Sequence, residues 1–269
     1  RSGHPSADHS AHSSASPDTA DFVAILPSVA DQAERLVELG VPELAGISAE
    51  QLRTLAAGLD QASGHAGASG QVEAPGEASE QVEAAGHAGA PDSAAPADSG
   101  TESAALLAVH PSLVPTSRLA ELTRREGKAG FVVVDMTDLA DFAPTDDITL
   151  PDAPLYLVRD VTRGDDMLGW TPADAHPELL ARGRTPLTVS EGVSWLLQQP
   201  EALEPGACFM CIGSRKRKAR GLDARTPAIW ISRGTGRDGA DRRDAPKVGW
   251  CWAGNHHTWL GFASALSRS

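Results

Sequence analysis

From Gln61 to Ser103 the chain has no aromatic residue, and its only large aliphatic side chains are Val72 and Val82. Such a stretch cannot bury enough apolar surface to offset the entropy of ordering its backbone. The same holds for residues 1–20, which are rich in Ser, Ala, His, Asp and Pro and contain nothing large and apolar. These two stretches confine the fold to what the remaining residues can build, one domain of roughly 100–200 residues. The expected organisation is a disordered tail over 1–20, a helical unit over 21–60, a low-complexity linker over 61–103 and an α+β domain over 104–265. The linker carries an imperfect duplication, Gly-His-Ala-Gly-Ala at 64–68 and 86–90 and Gln-Val-Glu-Ala at 71–74 and 81–84. Its unit is too short and too poor in apolar residues for a solenoid core. For the same reason His4, His9, His12, His65 and His87 are not expected to be ligands.

The net charge of −13 argues against whole-molecule attraction to nucleic acid or to an anionic membrane. No run approaches the ~20 apolar residues of a membrane helix. The first residues, Arg1-Ser-Gly-His-Pro-Ser, contain no apolar signal region. Three cysteines are an odd number in strand-like contexts, which fits reduced thiols and a cytoplasmic protein better than a disulfide framework.

Local patterns place the elements. Phe22, Ile25, Leu26 and Val29 fall at helical spacing, as do Leu36, Val37 and Leu39, and Gly40 is a natural C-cap. Ser48-Ala-Glu-Gln51 reads as a capping box. Ala105–Val109 predicts a buried strand, Pro115–Glu126 a helix and Phe131–Val134 a second strand. A strand–helix–strand unit of this length implies a parallel pair. Its first junction, His110-Pro-Ser-Leu-Val-Pro115, has no glycine-rich phosphate loop. Leu155–Val158 predicts a third strand, followed by a charged loop, Arg159–Asp166, expected to be solvated. Thr171 and Thr188 or Ser190 are candidate N-caps, and Val193, Leu196 and Leu197 mark the inward face of a helix ended by Pro200. The fold class is α+β: N-terminal helices, a strand–helix–strand unit and a C-terminal antiparallel sheet.

Several landmarks occur in order: Ala33–Gly40 with Leu44-Ala-Gly46, Val134-Asp-Met136, Gly183–Thr188 with Glu191-Gly192, Gly213-Ser-Arg215, Pro227–Ile231, and Gly249-Trp-Cys-Trp-Ala-Gly254 with His257-Thr-Trp-Leu-Gly261. In these the chain resembles an actinobacterial domain-of-unknown-function family over about residues 30–60 and 104–265. The resemblance implies that 1–20 and 61–103 are additions, and it transfers no catalytic residue.

The chemically capable residues crowd into residues 207–262, which hold all three cysteines and four of the six tryptophans. Cys208-Phe-Met-Cys211 has the spacing of a zinc or redox pair. In a strand, however, residues three apart point to opposite faces, and no Gly or Pro turns the chain between them. Cys208 or Cys211 with Cys251 and His256 or His257 is the remaining four-ligand set, so zinc is the one cofactor left open, with function then lying elsewhere. Buried, unreactive thiols are the commoner case. Along Val248–Ala253, Val248, Trp250 and Trp252 alternate with Gly249, Cys251 and Ala253, which predicts a large-residue face in the core and a small-residue face open to approach.

Two readings of this region follow. In the first, a binding or accessory protein holds a small polar or anionic ligand with Ser214, Arg215, Trp252, Asn255 and His257. In the alternative, a hydrolase or transferase uses Cys251 as nucleophile, His257 as base and Asn255 as orienting group. Gly234-Thr-Gly-Arg-Asp-Gly239 matches GxGxxG, but a polar run follows where a dinucleotide-binding helix should begin, so a hairpin loop is expected. Arg215-Lys-Arg-Lys218 belongs to a stretch with ten Lys/Arg against four Asp up to Asp244. No aromatic is interleaved in the run, so a solvated basic loop is expected and a nucleic-acid partner is not.

Overall fold

The structure is a computed structural model that describes residues 21–66 and 105–269. The expected tail over 1–20, and the linker with its duplication beyond Ala66, lie outside the described residues. Three helices come first: α1 (Val29–Glu38), α2 (Val41–Ala45) and α3 (Ala49–Ala66). Ser28 caps α1 by accepting from the Asp31 N–H at 3.1 Å. Gly40 adopts φ 84° after it, as its place at the helix end requires. The capping box forms as read: Ser48 N donates to Gln51 Oε1 and Gln51 N to Ser48 Oγ. The helical reading of Phe22–Leu26 is corrected. Residues 22–24 are extended and pair with the chain at Val161–Arg163, through Ala24 N to Val161 O and Arg163 N to Phe22 O. Pro27 then precedes the Ser28 cap.

Next come β1 (Ala105–Val109), α4 (Thr116–Ala120), β2 (Arg124–Arg125), β3 (Lys128–Ala129) and β4 (Phe131–Val132). The helix expected to reach Glu126 stops at Ala120, because Glu126 and Gly127 turn a tight hairpin between β2 and β3 with φ of 48° and 71°. Positive φ at both central residues is what such a two-residue hairpin demands. Then follow β5 (Phe142–Pro144), β6 (Leu155–Arg159), α5 (Pro172–Ala181), β7 (Thr185–Pro186) and α6 (Val189–Gln198). Thr171 caps α5, and Thr188 caps α6 in a full capping box with Glu191. The chain ends in β8 (Cys208–Met210), β9 (Ser214–Lys216), β10 (Arg225–Ile231), β11 (Pro246–Trp252), β12 (Leu260–Phe262), β13 (Ser264–Ala265) and β14 (Ser267–Arg268).

The class is α+β. Two sheets dominate, an antiparallel β1–β6–β14 and a five-stranded β12–β8–β10–β11–β4. The second is antiparallel at its centre, but β12 joins β8 and β4 joins β11 in parallel. The expected parallel pairing of β1 with Phe131–Val134 does not occur. Side chains close the outer edge of β1 instead: Gln32 of α1 donates to Ala105 O and accepts from Leu107 N, and Ser194 of α6 accepts from Val109 N. With those backbone groups satisfied, β1 offers no edge to a further strand, and β4 pairs with β11.

Helix α6 is the centre of the core, with every residue from Val189 to Gln198 buried. It is not the one-faced helix that its aliphatic spacing suggested. Ser194 faces β1, while Gly192 lies against Cys211, Phe209 and Ile229 of the five-stranded sheet. The charged loop after β6 is also corrected. Arg163 and Asp165 are each only 5% exposed and share a two-pronged ion pair, and Arg163 stacks 4.6 Å from the Phe22 ring centre. The ion pair removes most of the desolvation penalty that would otherwise keep these groups at the surface.

Candidate functional site

The five-stranded sheet has two distinct faces. Phe209, Cys211 and Ile229 point to α6. Cys208, Trp230 and Lys247 line a cleft of about 1170 Å³ on the other. The cleft is closed on one side by the β10–β11 loop and on another by the β11–β12 connection, which brings in His257 and Trp259. Trp230 and Trp259 meet edge to face with ring centres 6.4 Å apart, and His257 stands 5.6 Å from Trp259 in a similar geometry. These three rings form a mostly apolar wall, extended by Val133 and Ile231. Burial, with a smaller contribution from neighbouring His256, holds the His257 pKa below its ordinary value, so the ring favours its neutral form. Its Nε2 is buried and has no hydrogen-bond partner among the described residues.

The rim is charged. Lys247 pairs with Asp238 at 2.6 Å, and Arg237 with Asp135 at 2.7 Å. Lys247 Nζ also sits 5.0 Å from the Trp230 ring centre, a cation–π contact. Two other rim arginines, Arg233 and Arg243, make no side-chain hydrogen bond or ion pair among the described residues, and neither does the Asp244 carboxylate that follows Arg243.

Of the residues singled out from sequence, His257 lines this cleft, and Ser214, Arg215, Cys251, Trp252 and Asn255 are not among its lining residues. Ser214 is buried at the start of β9, where its Oγ accepts from Val189 N at the beginning of α6. Arg215 donates to Asp223 O, its Nε is buried and unpartnered, and desolvation pulls its pKa down. Trp252 is 48% exposed and packs edge-on against Trp250, which is half-buried. The expectation that the Val248–Trp252 face is all core therefore holds only at Val248. Asn255 is exposed in the loop beyond β11, and neighbouring His256 bonds through Nδ1 to Gly169 O.

Cys251 lies across from Thr226 in the β10–β11 ladder. Burial alone pushes its thiol up to about 11, the opposite of what an activated nucleophile needs. Among the described residues no hydrogen bond joins it to His257. Cys208 and Cys211 face opposite sides of the sheet, as strand alternation requires. Continuing the ladder, Cys208 falls opposite Trp230, four residues along β10 from the partner of Cys251. That is about 13 Å of strand, too far for one metal ion to span. Among the described residues no group of three or more His, Cys, Asp or Glu side chains could hold a metal ion.

Trp230, the two arginines and the glycine-rich loop are close in sequence but read as a strand and a surface loop, and only the fold brings His257 and Trp259 beside them. The one early signal was the GxGxxG match, whose expected hairpin context the structure confirms. Among the described residues no helix is long and apolar enough to cross a membrane. Comparison with curated proteins and with solved structures gives no match. A sequence model of one family spans residues 35–269, and the chain belongs to that family, a family of unknown function (DUF5701).

Proposed function

We propose that this protein binds a small anionic ligand with a flat apolar part in the cleft beside Trp230. The observation that carries the reading is the pairing of an aromatic wall, Trp230, Trp259 and His257, with two rim arginines, Arg233 and Arg243, whose side chains have no partner among the described residues. Aromatic faces take up planar apolar surface, and free guanidinium groups offer charge-assisted bonds to an anion. The class expected from the C-terminal Trp/Cys/His segment was a small polar or anionic ligand, and this reading narrows it to an anion with a flat apolar part. The site is centred on His257 and on residues upstream of it rather than on Ser214, Arg215 and Trp252.

Native mass spectrometry of the purified protein, beside the same sample denatured, tests this directly. A co-purifying organic anion lost on denaturation supports the reading. So does saturable quenching of tryptophan fluorescence by at least one member of a series of aromatic carboxylates and nucleoside phosphates. No adduct together with no saturable quenching overturns it, as does undiminished binding by the Trp230→Ala variant.

A further inference from the structure

The glycine-rich segment Gly234-Thr-Gly-Arg-Asp-Gly239 is the loop of the β10–β11 hairpin, and Thr235, Arg237 and Asp238 from it line the cleft. Its context excludes the strand-to-helix dinucleotide fingerprint, since only two three-residue 3-10 turns, 236–238 and 240–242, follow. A glycine-rich loop in a hairpin has a different use. With few side chains in the way, its backbone can approach an anion, and exposed N–H groups supply donors along with nearby cations.

Three features of the loop fit that use. Gly234 adopts φ 65°, and a Cβ there would lie 2.7 Å from Arg243 Cβ, so glycine brings the two sides of the loop base together. Arg233, which precedes Gly234, and Arg243, which faces Gly234 across the loop base, both line the cleft. Gly236, also at positive φ, has nothing within 4 Å of where its Cβ would be, which leaves its backbone open. The Thr235 and Gly236 N–H groups have no hydrogen-bond partner among the described residues.

The extent of the cleft bears on the ligand. Trp230 and Trp259 line it together with Arg233 and Arg243, so a ligand that fills it reaches from the aromatic wall to the cations of the hairpin loop. A single-ring carboxylate would leave much of a cleft of about 1170 Å³ unfilled. Two guanidinium groups with adjacent free N–H groups suit the several oxygens of a phosphate better than one carboxylate.

We propose that the cleft is a nucleotide site, with the base stacked in the Trp230–Trp259 wall and the phosphates under the glycine-rich loop between Arg233 and Arg243. This rests on the anionic-ligand reading above and narrows it to one class. Lys247, held by Asp238 on the loop and lying over Trp230, links the base end of the site to the phosphate end.

The test is fluorescence titration of the full chain with ATP, GTP, CTP and UTP, and with adenosine, inorganic pyrophosphate and anthranilate as partial ligands. At least one nucleoside triphosphate should saturate, with adenosine and pyrophosphate each at least tenfold weaker. The Arg233→Glu/Arg243→Glu double variant should lose at least tenfold in affinity for that triphosphate while keeping its circular dichroism spectrum and its response to adenosine. Because both arginines are exposed, this variant is expected to fold; Gly236→Val, which places a side chain over the open backbone, is the second variant and should weaken triphosphate binding likewise. Saturation by anthranilate but by no nucleotide overturns the nucleotide class and leaves the planar-anion reading standing. Pyrophosphate binding as tightly as the triphosphate overturns the base-stacking half and with it the proposal. Silence from every probe overturns both readings.

Discussion

Arg268, on the last short strand, is tied to a carboxylate at the centre of the molecule. Its guanidinium donates to Glu191 Oε1 at 2.5 Å and Oε2 at 2.8 Å, to Thr185 Oγ1 at 2.7 Å and to Pro186 O at 2.9 Å. Glu191 also accepts from Thr188 N at 2.7 Å in the capping box and from Tyr156 OH at 3.1 Å. The Glu191 side chain is 0% exposed and that of Arg268 6%. Replacing Arg268 with Met keeps most of the apolar stem and removes the charge, so the carboxylate stays buried without its cation. Breaking a buried pair from one side in this way costs about 3–5 kcal/mol. For a folded unit of this size each kcal/mol lowers Tm by about 2–4 °C, so the expected loss is about 6–20 °C. Scanning calorimetry at pH 7 measures it. Adding Glu191→Gln removes the orphan charge while its amide oxygen can still accept from Thr188 N and its amide nitrogen can donate to the Tyr156 hydroxyl oxygen, so the double variant should recover at least half of the loss. An Arg268→Met protein within 2 °C of the parent, or a double variant no better than the single one, would refute the claim that uncompensated charge sets the cost.

Three further outcomes follow from the packing and the charges. Gly192→Ala puts a Cβ 2.4 Å from Cys211 Sγ and should destabilise by about 1–3 kcal/mol in urea unfolding, with part of the loss regained when Cys211→Ala is added; full stability would contradict the close approach. Burial raises the Cys208 and Cys251 thiols to about 11 and the Cys211 thiol higher still, so all three should react slowly with a thiol reagent at pH 7 and readily in denaturant, and rapid labelling of Cys251 in the native protein would revive the nucleophile reading. Hydrogen bonds from Arg225 hold the Asp138 and Asp223 carboxyls well below the usual carboxylate range. Their stabilisation is therefore present above about pH 4, the unfolded value, and is lost as pH falls toward the depressed folded values; stability measured between pH 5 and 2 should decline less steeply in Asp138→Asn than in the parent.

What could be read without coordinates was local. The caps at Ser48, Thr171 and Thr188 and the turn at Gly40 were legible because each is set by a side chain and backbone groups within four residues. So was the opposed facing of Cys208 and Cys211, which follows from strand geometry alone. Strands over 105–109 and 155–158 announced themselves as short apolar runs. Of the candidate site, the sequence singled out Cys208 and His257; the glycine-rich segment read only as a hairpin loop, and its value depended on what lay beneath it.

The sequence by itself determined the α+β class, most of the helix starts, the lack of apolar material over 1–20 and 61–103, and the concentration of Trp, Cys and His near the C-terminus. Only the tertiary structure decided which strands pair, because that turned on whether distant side chains had already satisfied an edge, as Gln32 and Ser194 do for β1. Burial of the charged loop at Arg163 and Asp165 was likewise settled by partners at Phe22, Ala202 and Glu204. The cleft has the same origin. Trp230, Arg243, His257 and Trp259 become one site only when the hairpin loop and the β11–β12 connection fold over a single face of the sheet. Spacing along the chain carries no information about that, since the contacts are made between segments whose separation is set by the sheet and not by the sequence.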